Sequence, residues 1–288
     1  MYKVFAFLKR NPQLTHDEYR AGHVGYHCGQ SRRLKNIRGY LVNVWANESL
    51  SHKLGPFAEQ LPIQAPEGFL DWWDGFPQVY FDDQAAWVDA RTVEPNRATA
   101  DGLVVDPDWS LADSPHLFMP APDNPAQFQA IHLHMRETLV VPVVRPETKI
   151  TKLMHFFKRR EDLAEDAWMT QLETAYAPDV GRQRGLLGCT LNLRDPDQEA
   201  AMRGFFADDE WIFGPQATAA RREFCGLWDG ALELFFASLD DFQVARSEVH
   251  EALKRAEEQL FARSWFVEVD ENLIVNPNRA PAPDFYFR

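Results

Sequence analysis

The sequence predicts an α+β protein made of two related halves, each running β-α-β-β-α-β, whose sheets face each other and close into a barrel within one chain. Three observations lead there. The stretch Lys3–Val44 recurs without a gap as Lys152–Leu193, so that Lys3, Lys9, Arg10, Leu14, Asp17, Arg33, Gly39 and Asn43 meet Lys152, Lys158, Arg159, Leu163, Asp166, Arg182, Gly188 and Asn192. Later blocks repeat as well: Trp72–Ala90 returns as Leu227–Ala245, and Arg136–Pro142 as Asp270–Pro277. Within each copy, short apolar runs alternate with helical stripes. A four-stranded sheet with both helices on one face leaves its other face bare, and a second copy is the simplest cover for it. The expected halves are residues 1–146, with an insert at about 93–129, and 147–288.

The elements follow in order. Lys3–Lys9 is a short apolar run stopped by Asn11-Pro12, which reads as a buried strand. Thr15 with Glu18 three residues on has the capping-box pattern, and Asp162 with Glu165 is expected to do the same in the second copy. The helical stripe runs Tyr19, His23, Tyr26, His27, Leu34, Ile37, matched by Trp168, Leu172, Ala175, Tyr176 and Leu186. Gly39 and Gly188 stop these helices, and Tyr40–Trp45 and Cys189–Leu193 are second strands. Ala46–Phe69 reads as irregular. Gly75–Phe81 and Gly230–Phe236 are third strands, followed by helices at Asp83–Arg91 and, longer, at Asp240–Ala262. The insert Val93–Gln129, rich in Pro, Asp and Ala, reads as a loop or lid. Ile131–Val141 and Trp265–Val275 are fourth strands, and Arg279–Arg288 is expected as a surface arm.

Composition narrows the function. The 288 residues, 45% hydrophobic and 25% charged, suit a globular protein with a sizeable core. A net charge of −13 argues against nucleic acid and anionic membranes as partners. Cys28, Cys189 and Cys225 have no CxxC spacing and form no disulfide framework, which points to a reducing, cytoplasmic setting. The N-terminal MYKVFAFLKR enters a strand at once, so no leader peptide is expected. No run of apolar residues is long enough to span a bilayer.

Strand alternation selects candidate site residues. His132, His134, Arg136 and Thr138 share one face of the fourth strand, with Phe266, Glu268, Asp270 and Asn272 in the second copy. Helices cover apolar faces, so this polar face is expected to line the barrel. Gln78 and Tyr80, with Glu233 and Phe235, are lumen candidates on the third strands, and Asn43 and Asn192 on the second. His155 stands where the first copy has Ala6. His27 lies on the inward stripe of its helix, four residues after His23, which reads as packing. His132, His134 and Glu268 could form a two-His-one-carboxylate set, but H-x-H pairs are common, so no metal is assigned. Trp73 and Trp228 repeat and read as core, whereas Trp72 has no counterpart and could serve a pocket mouth. There is no phosphate loop, dinucleotide fingerprint or Ser-His-Asp order.

Around the first helix the chain resembles the EthD family of dimeric α+β barrel proteins. The resemblance rests on Phe7-Leu8-Lys9-Arg10-Asn11-Pro12, on Leu14-Thr15-His16-Asp17-Glu18-Tyr19, on His27 followed by Arg33-Leu34, and on Trp73-Asp74-Gly75 with Trp228-Asp229-Gly230. His27 matches the family's helix histidine, but Cys28-Gly29 replaces its Ala-Pro. The second copy keeps Ala177-Pro178 and has Tyr176 in place of the histidine. The resemblance implies a small, cofactor-free enzyme, a lyase such as a dehydratase or decarboxylase, or an isomerase, acting on an aromatic or apolar oxygenated compound. His27, His132, His134 or His155 would move protons. Asn43 and Asn192 would hold an enolate or carbonyl oxygen, and Gln78, Tyr80, Tyr176, Glu233 and Glu268 would contact substrate. Alternatives are a non-catalytic carrier of the same ligand and a haem protein. A homodimer is compatible with each.

Overall fold

The computed structural model describes residues 1–32, 34–90, 114–122, 124–206, 208 and 210–277. Its centre is a closed barrel of β1 (Tyr2–Leu8), β2 (Gly39–Trp45), β3 (Gly75–Phe81), β4 (Ala130–Val141), β5 (Thr151–Arg159), β6 (Leu186–Arg194), β7 (Gly230–Phe236) and β8 (Phe261–Val275). Around the barrel the order is β1-β3-β2-β8-β5-β7-β6-β4, with β4 returning to β1 and every neighbour antiparallel. The first four strands therefore run β4-β1-β3-β2 and the last four β8-β5-β7-β6, and they join at β2–β8 and β6–β4. Closure removes the open edges that a lone sheet would carry.

Helices lie outside the barrel: α1 (His16–Ala21), α2 (Gln84–Asp89), α3 (Glu165–Gln171), α4 (Pro215–Leu227) and α5 (Leu239–Leu260). Thr15 caps α1 as the sequence predicts, its hydroxyl accepting from Glu18 N–H while Glu18 accepts from Thr15 N–H at 2.8 Å. The second copy departs from that pattern. Its N-cap is Ala164, which stands in Thr15's place and has no side-chain acceptor, while the Asp162 carboxylate is held by the guanidinium of Arg160 at 2.6 and 2.9 Å. Both first helices pass through a π-helical turn at matching places, Gly22–His27 and Leu172–Tyr176. Such a turn inserts an extra residue and re-aims the side chains after it. The predicted irregular stretch after β2 contains short helices at Leu50–Leu54 and Gly55–Gln60, and the long α4 occupies the matching link of the second half. Residues 93–113 and 123 of the expected insert, and the expected arm 279–288, lie outside the described residues. What is described of the insert is a turn of helix at Ser114–Leu117 and a ribbon pairing Pro120–Ala121 with Asn124–Phe128. Among the described residues no helix is long and apolar enough to cross a membrane.

Register fixes what faces inward. Lys3 is opposite Tyr80 and Met135, Phe5 opposite Gln78 and Leu133, Lys152 opposite Phe235 and Val269, and Asn43 opposite Phe76 and Glu271. One end of the lumen is aromatic: Phe5, Phe7, Phe76, Phe156, Trp228 and Trp265 belong to one buried cluster. The other end is ionic. Lys3 pairs with Glu233 and, at 3.2 Å, with Glu137; Lys152 pairs with Glu233 at 2.6 Å and Glu271 at 2.9 Å; Arg145 closes on Glu271 at 2.5 Å. Three cations thus meet three carboxylates, and Lys3, Lys152 and Glu233 are at most 1% exposed. Burial by itself would push the Glu233 carboxyl up. Lys152 and Lys3 outweigh it, and the group titrates well below the usual carboxylate range.

The lumen assignment of the fourth strands is therefore inverted. Ile131, Leu133, Met135 and Glu137 point in, and His132, His134, Arg136 and Thr138 point out. Likewise Trp265, Val267, Val269 and Glu271 point in, while Phe266, Glu268, Asp270 and Asn272 face outward. Alternation identifies two faces without saying which one is inside. Here the inner face is apolar because aromatics fill the barrel, so the rule that helices take the apolar side fails. The third-strand residues Gln78, Tyr80 and Glu233 and the second-strand Asn43 and Asn192 do point inward.

The repeated Lys-Arg and Trp-Asp-Gly motifs prove to be one clamp. Asp74 accepts from the Arg10 backbone N–H at 3.0 Å and pairs with Lys9 and Arg10; Asp229 does the same with the Arg159 N–H at 2.8 Å, Lys158 and Arg194. Gly75 and Gly230 follow because a Cβ there would meet the Tyr19 hydroxyl at 2.8 Å or the Phe157 ring at 2.7 Å. Replacing Lys3 with Met leaves Glu233 short of one ammonium partner. It is expected to cost about 3–5 kcal/mol, read as a lower urea midpoint. Because the folded-state pKa of Glu233 is depressed, its contribution is present above the unfolded value of about 4.3 and is lost as pH falls below it. Glu233→Gln should therefore flatten the acid limb of the stability–pH curve. An unchanged acid limb would show that the network contributes nothing.

Candidate functional site

Outside the barrel, between the first half's sheet and its helix layer, lies a cavity of about 110 Å³. Its floor is made of small residues, Val4 and Ala6 of β1, Pro77 and Val79 of β3 and Ala130 of β4. Tyr40 of β2 and His132 of β4 stand at the two sides of that floor, since the four strands run β4-β1-β3-β2. The matching face of the second half carries larger groups. Where the first half has Val4, Ala6, Pro77, Val79 and His132, the second has Leu153, His155, Leu232, Leu234 and Phe266. There the layer is solid, filled by Trp168, Leu172, Tyr176, Phe242 and Phe266 under the long α5. The first half's equivalent helix, α2, ends at Asp89. Smaller floor residues and a shorter helix together leave room on one side only.

His27 reaches this cavity from the end of the π-helical turn and is 7% exposed. Its backbone carbonyl accepts from Ser31 Oγ at 3.1 Å, and its ring meets Phe118 and His23 edge-on at 5.1 and 5.4 Å. His23 lies behind it, with Nδ1 3.1 Å from the Tyr19 hydroxyl; burial, with His27 beside it, holds its pKa well below the ordinary imidazole range. His132, placed opposite Ala6 by the strand register, meets Phe206 edge-on at 4.7 Å. The Tyr40 hydroxyl accepts from Cys28 Sγ at 3.4 Å; burial pushes its pKa far up, so it remains a phenol that can donate.

The second half supplies the rest of the wall. Phe205, Phe206, Glu210, Trp211 and Ile212, from the link between β6 and α4, line the cavity of the first half. Phe205 stacks on Trp87 of α2 at 3.6 Å and 8°. The Trp211 N–H donates to Gln127 of the insert ribbon at 2.7 Å. In exchange, Leu50, Leu54, Ala58 and Leu61 of the first half pack into the core of the second.

The expected site residues fall in five places. His27 and His132 come together at the cavity. Asn43, Asn192, Gln78, Tyr80 and Glu233 are in the lumen, where they are held by one another: Asn192 Nδ2 donates to Glu233 at 2.9 Å, Asn43 Nδ2 to the Phe76 carbonyl at 3.2 Å, and Tyr80 to Gln78 at 3.2 Å. His155 and Tyr176 meet at 3.2 Å inside the second half's helix layer, and His155 stacks on Phe266 at 4.1 Å. Burial lowers the His155 pKa to about 4, with Glu257 opposing. His134 is buried beside the cavity wall, its Nδ1 2.5 Å from the Tyr2 hydroxyl, and burial lowers it to about 3, so it is neutral near pH 7. Glu268 is apart from all of these, paired with Lys53 at 2.8 Å. Among the described residues no group of three His, Cys, Asp or Glu is placed to hold a metal ion.

Sequence reasoning missed Tyr40, Ser31, Trp87, Phe118 and the wall of Phe205, Phe206, Glu210, Trp211 and Ile212. One signal for the cavity was present: Ala6 and Pro77 against His155 and Leu232 in the matching positions. Enlarging the floor with Ala6→Leu should be tolerated, since it fills space the second half fills naturally. The expected shift in Tm is no more than about 4 °C, with loss of binding of an apolar probe such as 2-naphthol. Full probe binding by this variant would place the ligand elsewhere.

No family model matches the chain, and no curated protein matches it. Among solved structures, a provisionally named monooxygenase from Fusobacterium nucleatum superimposes with a TM-score of 0.52 at 9% identity, over 98% of this chain and 95% of its own. An anthrone oxidase-like protein gives 0.48 at 6% over 98% and 96%, and a provisionally named monooxygenase from Lactobacillus acidophilus 0.49 at 7% over 94% and 94%. At 9% identity the likeness to the Fusobacterium protein is one of fold, and in fold this chain is an α+β barrel.

Proposed function

We propose that the chain is a small-molecule enzyme that works in the first-half cavity, with His27 and His132 moving protons on a flat, apolar, oxygenated compound. The observation that carries this reading is the convergence of two imidazoles, one from a helix and one from a strand, on a cavity that is mostly apolar and whose other polar groups are Ser31, Tyr40, Gln127 and Glu210. An imidazole is the side chain best suited to give and take a proton near neutral pH. His134 and His155 are not assigned this role, because neither lines the cavity: His134 is held on the Tyr2 hydroxyl and His155 on the Tyr176 hydroxyl. Asn43 and Asn192 lie on the lumen side of the sheet, so the hydroxyl of Tyr40 takes their place as donor to a carbonyl or enolate oxygen.

The EthD-like motifs support a lyase or isomerase step, in which one histidine removes a proton and the other returns one. The name of the Fusobacterium neighbour supports a variant of the same first step. Proton removal leaves a carbanion; with molecular oxygen as co-reactant and oxidant it would form a C–O bond and, on taking up a proton, a hydroperoxide, which loses water to leave one oxygen as a carbonyl on the ring. A carrier would bind the compound and do neither.

The test is a screen of hydroxylated and carbonyl-bearing ring compounds in D₂O, with and without oxygen. Wild-type protein is expected to exchange or convert at least one compound. His27→Gln and His132→Gln should each slow this by about a hundredfold or more while the compound still binds. Turnover that stops without oxygen would select the oxygenase variant. Binding with no exchange, conversion or histidine effect would leave only the carrier.

A further inference from the structure

A second cleft, of about 340 Å³, lies on the opposite side of the molecule, in the second half. It runs between the first half's Glu59–Pro62 and the C-terminal part of α5 with the start of β8. Arg246 lines it and is 2% exposed. The two terminal nitrogens of Arg246 hold Glu257 at 2.9 and 2.8 Å, which leaves its Nε buried without an acceptor. One turn on, His250 also lines the cleft, and its Nδ1 is buried without a partner. Lys254 follows after one more turn, so the three side chains form a row on one helix face. Arg263 of β8 completes the basic side.

The charges at the floor are already matched. Glu257 is neutralised by Arg246, and it also accepts from the Tyr176 hydroxyl at 2.8 Å. What remains unmet there are nitrogens of Arg246 and His250. Glu59 and Glu258 are exposed at the rim, as are Lys254 and Arg263. A guanidinium nitrogen is a donor and never an acceptor. A group able to satisfy it, the imidazole N–H and an ammonium together must offer several acceptor oxygens. The geometry points to a binding site for a small oxyanion, a carboxylate or phosphate group, at Arg246, His250, Lys254 and Arg263. Charge-assisted bonds of this kind are short and strong, and a floor already lined with donors needs little rearrangement to form them. The site is independent of the His27 cavity and of the reaction proposed there.

The experiment follows the His250 imidazole resonances of the full chain while sodium phosphate or sodium acetate is added, with sodium chloride at equal ionic strength as reference. Phosphate, acetate or both should shift His250 saturably while chloride does not, and whichever binds more tightly gives the source of the oxyanion. Lys254→Ala and Arg263→Ala are exposed changes, and each should weaken that binding by about tenfold while leaving the melting temperature in place. Two outcomes would overturn the site: no saturable shift with either anion, or shifts of undiminished affinity in the Lys254→Ala/Arg263→Ala double variant.

Discussion

The ion cluster in the lumen is the constraint on which the rest of the structure depends. Lys3, Lys152 and Arg145 are set against Glu137, Glu233 and Glu271 on five strands and one connection. A charge removed from water is tolerable only when paired, and here each partner comes from a different part of the chain. Lys3 of β1 reaches Glu233 of β7, and Lys152 of β5 bonds Gln78 of β3. These contacts cross from one half to the other, so the cluster is satisfied only when the barrel is closed. A slip of one residue in any of these strands would turn its charge outward and leave the partners unpaired. The cluster therefore fixes register as well as closure, and the aromatic end of the lumen adds apolar burial to that arrangement.

A filled lumen also decides where chemistry can occur. With Phe5, Phe7, Phe76, Phe156 and the tryptophans at one end and ion pairs at the other, the inside of the barrel is core. Space for a ligand has to come from the layer between sheet and helices. The first half provides it by placing Ala6 and Pro77 on the floor and by ending α2 early. The second half uses the same layer for the Arg246–Glu257–Tyr176–His155 chain and the apolar residues around it. The exchange of links between halves then makes the cavity a joint product, with Phe205 and Trp211 brought across from the second half.

Much of the fold was legible because similar motifs stand at matching places along the chain. A motif present in both copies, such as Lys-Arg with Trp-Asp-Gly, carries the shared architecture, and the clamp around Asp74 and Asp229 explains why those residue types recur. Strand and helix positions followed from periodicity for the same reason. The faces of β4 and β8 did not, because a period of two has no sign. His132-x-His134 looked like polar lining of a lumen, whereas the lumen carries Leu133 and Glu137. The α3 cap was misread because the residue in Thr15's place is Ala164, two positions after Asp162. His27 was legible as a candidate on its stripe, but the π-helical turn that aims it has no sequence signature. The wall of Phe205, Phe206, Glu210, Trp211 and Ile212 was beyond reach, since it lines a cavity of the other half.

Building both sheets of the barrel from one chain changes what such a barrel can do. When two identical subunits build a barrel, a mutation that fills one helix layer fills both, and a cavity can be altered only in pairs. Here the two layers vary independently. His155 and Phe266 occupy the second layer while Ala6 and His132 keep the first one open. The long α5 can seal one side without closing the other. In the lumen the members of the ion cluster are paired across the halves, Lys3 with Lys152 and Glu137 with Glu271, because both sets meet in one network. Other lumen positions differ, Gln78 against Glu233 and Ile131 against Trp265, so the two halves fill the shared core with different side chains. Each outer layer is built on its own half's strands and closed by a link from the other half, and the smaller floor of the first leaves room there for a ligand.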